Sequence, residues 1–108
     1  MSELVSVIIP VHNDSYRLKK CLTALKYQDY RNYEVLLIDN NSKENIKKIC
    51  KEYSFVKYFK EEKKGSYSAR NKGISNSNGE IIAFTDSDCI PNKDWLSEGV
   101  KAFKKNIS

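Results

Sequence analysis

EIIAFTDSDCIP, residues Glu80 to Pro91, runs four hydrophobic residues into Asp86 and Asp88, with Ser87 between the two acids. The apolar run reads as a buried strand that ends by aiming two carboxylates at one place. Residues two apart in an extended segment point to the same side, so Asp86 and Asp88 face a shared ligand while Ser87 turns away. Two adjacent carboxylates repel each other and raise one pKa unless a cation lies beside them. A hard divalent ion supplies that neutralisation and keeps positions open for phosphate oxygens. For an isolated Asp-x-Asp, a turn-capping role before Pro91 is the ordinary alternative. The rest of the chain weighs against it.

Working back from this strand, the pattern alternates. LVSVIIPV, Leu4 to Val11, is β-branched and almost continuously apolar, as suits a strand covered on both faces, and Pro10 closes it. From Asn13 to Tyr27, Leu18, Cys21, Leu22 and Leu25 recur at helical spacing. YEVLLID, Tyr33 to Asp39, is a second strand; Ser42 is then the expected cap of a helix bearing Ile46, Ile49, Cys50 and Tyr53. FVKYF, Phe55 to Phe59, predicts a short third strand. A charged loop through Gly65 leads into a helix beginning at Ser66 or Ser68, carrying Ala69 and Ile74 and ending near Gly79. After the strand Glu80 to Asp86, Asp94 is expected to cap a last helix with Trp95, Leu96, Val100 and Phe103 on its apolar face.

Strands alternating with helices predict an α/β fold: a Rossmann-like, mostly parallel sheet with helices on both faces, built from four βα units. In such a sheet ligands collect along the carboxyl ends of the strands. His12 and Asn13, Asp39 to Asn41, and Asp86 to Asp88 all fall at strand ends, so three separate segments converge on one rim.

Length and composition agree with this. At 108 residues the expectation is one domain spanning 1–108, and 40% apolar with 31% charged residues suits a folded chain rather than a disordered tail. No run of about 18 apolar residues exists and the N-terminus lacks a signal-peptide pattern, which gives a cytoplasmic location as the expectation. Cys21, Cys50 and Cys89 are odd in number and widely spaced, so they read as reduced thiols rather than a disulfide framework or a zinc site. The formal charge of +5 comes mainly from scattered lysines; arginines are few and no basic stripe is interleaved with aromatics, so nucleic acid is not an expected partner.

Taken in order, VSVIIPVHN, VLLIDNNS, GSYSARNKGI and GEIIAFTDSDCIP resemble the N-terminal half of family 2 glycosyltransferases, which have the GT-A fold. Each segment alone is weak; four in the right order and spacing are specific. The resemblance implies a nucleotide-diphosphate sugar donor, a UDP-sugar foremost, an acceptor glycan or lipid-linked glycan, usually inversion at the anomeric centre, and work at the inner face of the membrane. Carried over by position, Pro10, Val11 and Asn13 would line the nucleotide pocket, largely through backbone contacts. Asp39 would bond the base, and Arg70 would approach the base or the diphosphate. Within Asp86-Ser87-Asp88, all three would contact the donor, Asp86 toward the ribose and Asp88 on Mn²⁺ or Mg²⁺ bridging the diphosphate. Many relatives carry a second acid where this chain has Asn40, which leaves one fewer charge there. The family's general base lies in the C-terminal half, so the resemblance implies a base beyond Ser108 and no catalytic residue within these 108. It likewise implies a chain cut before its acceptor half and a truncated edge open to self-association.

The residues also bear on other functions. His12 is the only histidine, and nothing in the sequence pairs it with an orienting acid, so it receives no catalytic role. Trp95 sits at helical spacing with Val100 and reads as core. A module that binds nucleotide and metal without transferring is the main alternative. A phosphotransferase with an Asp-x-Asp nucleophile would place that motif after its first strand, and a dinucleotide oxidoreductase would carry G-x-G-x-x-G there.

Overall fold

In the computed structural model, which describes residues 2–107, strands and helices alternate as β1 (Val5–Val11), α1 (Ser15–Lys26), β2 (Tyr33–Asp39), α2 (Ile46–Cys50), β3 (Val56–Lys60), α3 (Ser66–Asn76), β4 (Ile81–Phe84) and α4 (Trp95–Ile107). Ser108, the position beyond which the resemblance puts the general base, lies outside the described residues. All three strand pairings are parallel, in the order β3-β2-β1-β4. The expected α/β class is therefore borne out. No described helix is long and apolar enough to cross a membrane.

Side-chain alternation on the central strands builds two apolar layers. Val5, Val7, Ile9 and Val11 of β1 face one side with Val35 and Leu37 of β2, and there they meet Leu18, Cys21, Leu22 and Leu25 of α1, Ile46 and Ile49 of α2, and Leu96 and Val100 of α4. Ile8, Leu36 and Ile38 face the other side, where α3 contributes Ala69. Right-handed crossovers account for this division: the chain moves one way along the sheet through α1 and α2, then reverses from β3 to β4, which puts α3 on the opposite face. The reversal places a switch point between β1 and β4, whose carboxyl ends open the crevice where ligands bind in such sheets.

On α3 the expected apolar contact through Ile74 is replaced. Ile74 is 47% exposed, and the sheet is met instead at Gly73, where a Cβ would stand 2.5 Å from Cγ2 of Ile8. The helix packs closely because it has a residue without a side chain at that point.

Element ends differ from the sequence reading for local reasons. Asn13 has a φ of 52°, outside the helical region, so α1 begins two residues later than expected. Asn45, not Ser42, caps α2, its side chain accepting from the Lys48 N–H at 3.2 Å. Regular pairing of β4 stops at Phe84 rather than Asp86, although the Thr85 N–H still donates to the Ile8 carbonyl at 3.2 Å. Asp94 does stand immediately before α4, and its carbonyl accepts from the Glu98 N–H. Trp95 is half-buried against the core, lining with Ile81, Phe84, Leu96 and Phe103 an apolar cavity of about 250 Å³ between β4 and α4. With hydrophobic walls, this cavity offers no group for chemistry.

Candidate functional site

Asp86 and Asp88 do come together, by a different route from the extended one expected. The Cys89 N–H donates to the Asp86 carbonyl at 3.0 Å, closing a turn over residues 86–89. One carboxylate oxygen from each acid and the Cys89 sulfur lie within 4.8 Å of one another, all exposed. The turn that the sequence offered as the alternative is therefore formed, and it leaves both carboxylates on one solvent-facing side. Two hard carboxylate oxygens at a solvent-facing turn fit Mn²⁺ or Mg²⁺, and the soft thiol is not required for either.

Ser87 is expected among the donor contacts, yet its side chain goes inward. It is 8% exposed, and its hydroxyl donates to Oδ2 of Asp14 at 2.9 Å. Asp14 in turn accepts from Nε of Arg17 at 3.0 Å, and a second guanidinium nitrogen of Arg17 lies 3.9 Å from Asp88. The hydrogen bond from Arg17 to Asp14 raises the already high guanidinium pKa further. Beneath the turn, the Cys21 thiol faces the Asp86 carbonyl at 3.6 Å. Burial pushes that thiol up to about 12, so it is an inert packing group.

The second part of the rim is a polar lattice between the ends of β1 and β2. Asn13 donates its backbone N–H to Oγ of Ser42 at 2.9 Å and accepts from the Lys43 N–H at 2.7 Å. His12 donates from Nδ1 to the Asn40 carbonyl at 2.7 Å, which leaves Nε2 to accept from the Asn13 amide at 3.3 Å. The ring is thus oriented by a carbonyl and a neighbouring amide. Val11 is buried, and its carbonyl accepts from the Asn40 N–H at 2.8 Å, so that carbonyl already has a partner. Pro10 is half-buried beside it.

Asp39 is only 4% exposed, and both of its oxygens are engaged: Oδ1 accepts from the Ser42 N–H at 3.0 Å, and Oδ2 from the Tyr58 hydroxyl at 2.5 Å. Burial raises the Tyr58 pKa, and the hydrogen bond to Asp39 adds to the shift, so the phenol stays protonated as the donor. Arg70 stands on α3 with its guanidinium 5.9 Å from the centroid of the Phe84 ring. The structure therefore gathers Asn13, Asp39 and Ser42 into one connected patch and Asp86 with Asp88 into another, and leaves Arg70 exposed beside β4.

Asn40 is the residue whose role sequence reasoning missed. Its amide donates to the Glu61 carbonyl at 3.1 Å and the Lys63 carbonyl at 2.8 Å, while Oδ1 accepts from the Gly65 N–H at 3.0 Å. A carboxylate could not donate to either carbonyl, so it is the amide of Asn40 that ties down the loop entering α3. Asn40→Asp should cost about 1–3 kcal/mol. Amide hydrogen exchange of residues 61–65 should rise in the variant, and unchanged exchange would count against this role. The loop forms one wall of a concavity of about 630 Å³ lined by His12, Asn13, Asn40, Lys43, Lys64 and Gly65, among others. Two lysines on its walls favour an anionic occupant.

A parallel α/β domain with its acids and amides gathered at the switch point is the class that fold and site define. Residues 6–107 match the model of glycosyl transferase family 2, and the chain belongs to that family. Glycosyltransferase AglE of Haloferax volcanii is 45% identical over 103 residues, covering 89% of this chain and 34% of that protein. S. aureus TarS 1-349 in complex with UDP-GlcNAc is similar with a TM-score of 0.83 at 26% identity, over 94% of this chain and 31% of that one. Mannosyltransferase PcManGT from Pyrobaculum calidifontis, in complex with GDP-Man and Mn²⁺, is similar with a TM-score of 0.86 at 25% identity, over 94% and 32%. The chain spans about a third of the length of these three relatives.

Proposed function

We propose that this chain binds the donor of a glycosyl transfer: a nucleoside diphosphate sugar, with uridine the favoured base, together with Mn²⁺ or Mg²⁺. The observation that carries the reading is the turn bearing Asp86 and Asp88, placed at the switch point of a family 2 domain. The nucleoside is assigned to the rim formed by His12, Asn13 and Asn40, and Lys43 and Lys64 on the same concavity would supply positive charge to the diphosphate. Asp86 and Asp88 would hold the cation. When bound, it supplies Lewis-acid stabilisation of the departing diphosphate.

Around that ion the chain's own residues bind and orient. Ser87 anchors the turn, Asn40 fixes the loop before α3, and Asp39 stabilises the β2 end through Ser42 and Tyr58. Inverting transfer requires a base to take the acceptor's proton. What these residues supply to that reaction is donor and cation binding, over about a third of the relatives' length.

Calorimetry of the 108-residue chain with UDP tests this. Binding should be about tenfold or more tighter with Mn²⁺ than with a chelator, because unneutralised Asp86 and Asp88 repel the diphosphate. Equal affinity in the two conditions removes the cation bridge, and failure of both UDP and GDP to bind removes the donor reading.

A further inference from the structure

The first turns of α1 carry a polar face that the cation turn sits on. Asp14 at the helix N-cap, Arg17 three residues on and Cys21 four beyond that lie along one side of the helix. Each meets the 86–89 turn: Asp14 through the Ser87 hydroxyl at 2.9 Å, Arg17 through Asp88 at 3.9 Å, and Cys21 through the Asp86 carbonyl at 3.6 Å. Arg17 is shared between two carboxylates, and the shorter contact, 3.0 Å, goes to Asp14. The Asp14 side chain is 16% exposed and the Arg17 side chain 61%, so Asp14 is the fixed partner and Arg17 the one free to swing.

We propose that Asp14 is a positioning residue for the cation turn, fixing Ser87 by a hydrogen bond and holding Arg17 off Asp88 so that Asp88 stays open to a divalent cation. The proposal rests on the reading of Asp86 and Asp88 as cation ligands and extends it to a residue outside the turn. Without the Asp14 carboxylate, Asp88 is the acid that the guanidinium still contacts, at 3.9 Å. The guanidinium then pairs with Asp88 and competes with the cation for the same oxygens, while the Ser87 hydroxyl loses its acceptor.

A double-mutant cycle separates this from general structural damage. Free Mn²⁺ is counted by electron paramagnetic resonance during titration of wild type, Asp14→Ala, Arg17→Gln and the double variant, and UDP affinity is measured in chelator for each. Asp14→Ala should weaken Mn²⁺ binding about tenfold, the range seen when a group that orients a metal ligand is lost. In the Arg17→Gln background the same change should cost less than about threefold, because no guanidinium remains to occupy Asp88. UDP affinity in chelator should stay the same throughout. If Asp14→Ala binds Mn²⁺ as wild type does, or costs the same in both backgrounds, or weakens UDP in chelator equally, the positioning role is overturned. If wild type binds UDP but no Mn²⁺, the cation reading of the turn fails and takes this proposal with it. Should Asp14→Ala not fold by circular dichroism, Asp14→Asn replaces it, since it keeps an acceptor for Ser87 but gives up the charge that holds Arg17.

Discussion

Asp88→Ala is expected to bind UDP with the same affinity in Mn²⁺ and in chelator, a loss of about 100-fold or more in Mn²⁺ affinity, since even groups that merely support a ligand are worth about 10–100-fold. The fold should not change. Asp88 lies on an exposed turn with its side chain 51% accessible, and its only ion pair among the described residues is the long one to Arg17. Such pairs contribute about 0–1 kcal/mol, so the melting temperature should fall by no more than about 4–8 °C. This contrast makes the variant decisive: ligand binding and folding are separable at Asp88. They are not separable at Asp39, whose buried carboxylate holds Ser42 and Tyr58, so that Asp39→Ala would unsettle the β2 end before it reported on a base. A residual Mn²⁺ enhancement in Asp88→Ala would mean that other groups hold the ion.

The contrast between those two acids also marks what could be read in advance. Runs such as VSVII and VLLI leave little choice of structure, because continuous β-branched and aliphatic residues need cover on both faces and only a parallel sheet between helices provides it. The rim was legible for the same reason: polar residues that directly follow such runs must sit at the strand ends. What was hidden depends on contacts between segments far apart in sequence. Asp14 and Ser87 are 73 positions apart, and Asn40 and Lys63 are 23 apart. No local pattern announces either pair. Asp14 could have been picked out as an acid at a helix start, but its side chain does not cap the helix; Glu44 does that work from the next loop, accepting from the Ser15 N–H at 3.0 Å and from its hydroxyl at 2.6 Å. Likewise, the turn at Asp86 could not be told from an extended strand end, since both geometries bring alternate acids together.

At the opposite end of the sheet, the sequence reading passed over Glu34, a charge inside an apolar strand. It is 8% exposed and accepts from the Ser6 hydroxyl at 2.5 Å, Nζ of Lys57 at 2.8 Å and the Asn78 N–H at 2.7 Å. One carboxylate thus joins β1, β2, β3 and the segment after α3, far from the rim. Burial pushes its pKa up, but the hydrogen bonds from Lys57, Ser6 and Asn78 outweigh that and hold it at about 2. A carboxyl with a depressed folded pKa stabilises the fold above its unfolded pKa and ceases to do so as pH falls through the folded one. The contribution should therefore be complete above about pH 5 and should fade toward pH 2, amounting to about 3 kcal/mol, a large part of the 5–15 kcal/mol typical of a domain. Glu34→Gln keeps the shape and loses the charge, so its stability should be lower at pH 7 and nearly independent of pH over that window as far as this group is concerned. Urea unfolding of both proteins at pH 7, 4 and 2.5 measures the difference. The two curves should converge as pH falls, and a constant gap between them would show that the carboxylate's charge is not what ties the four segments together.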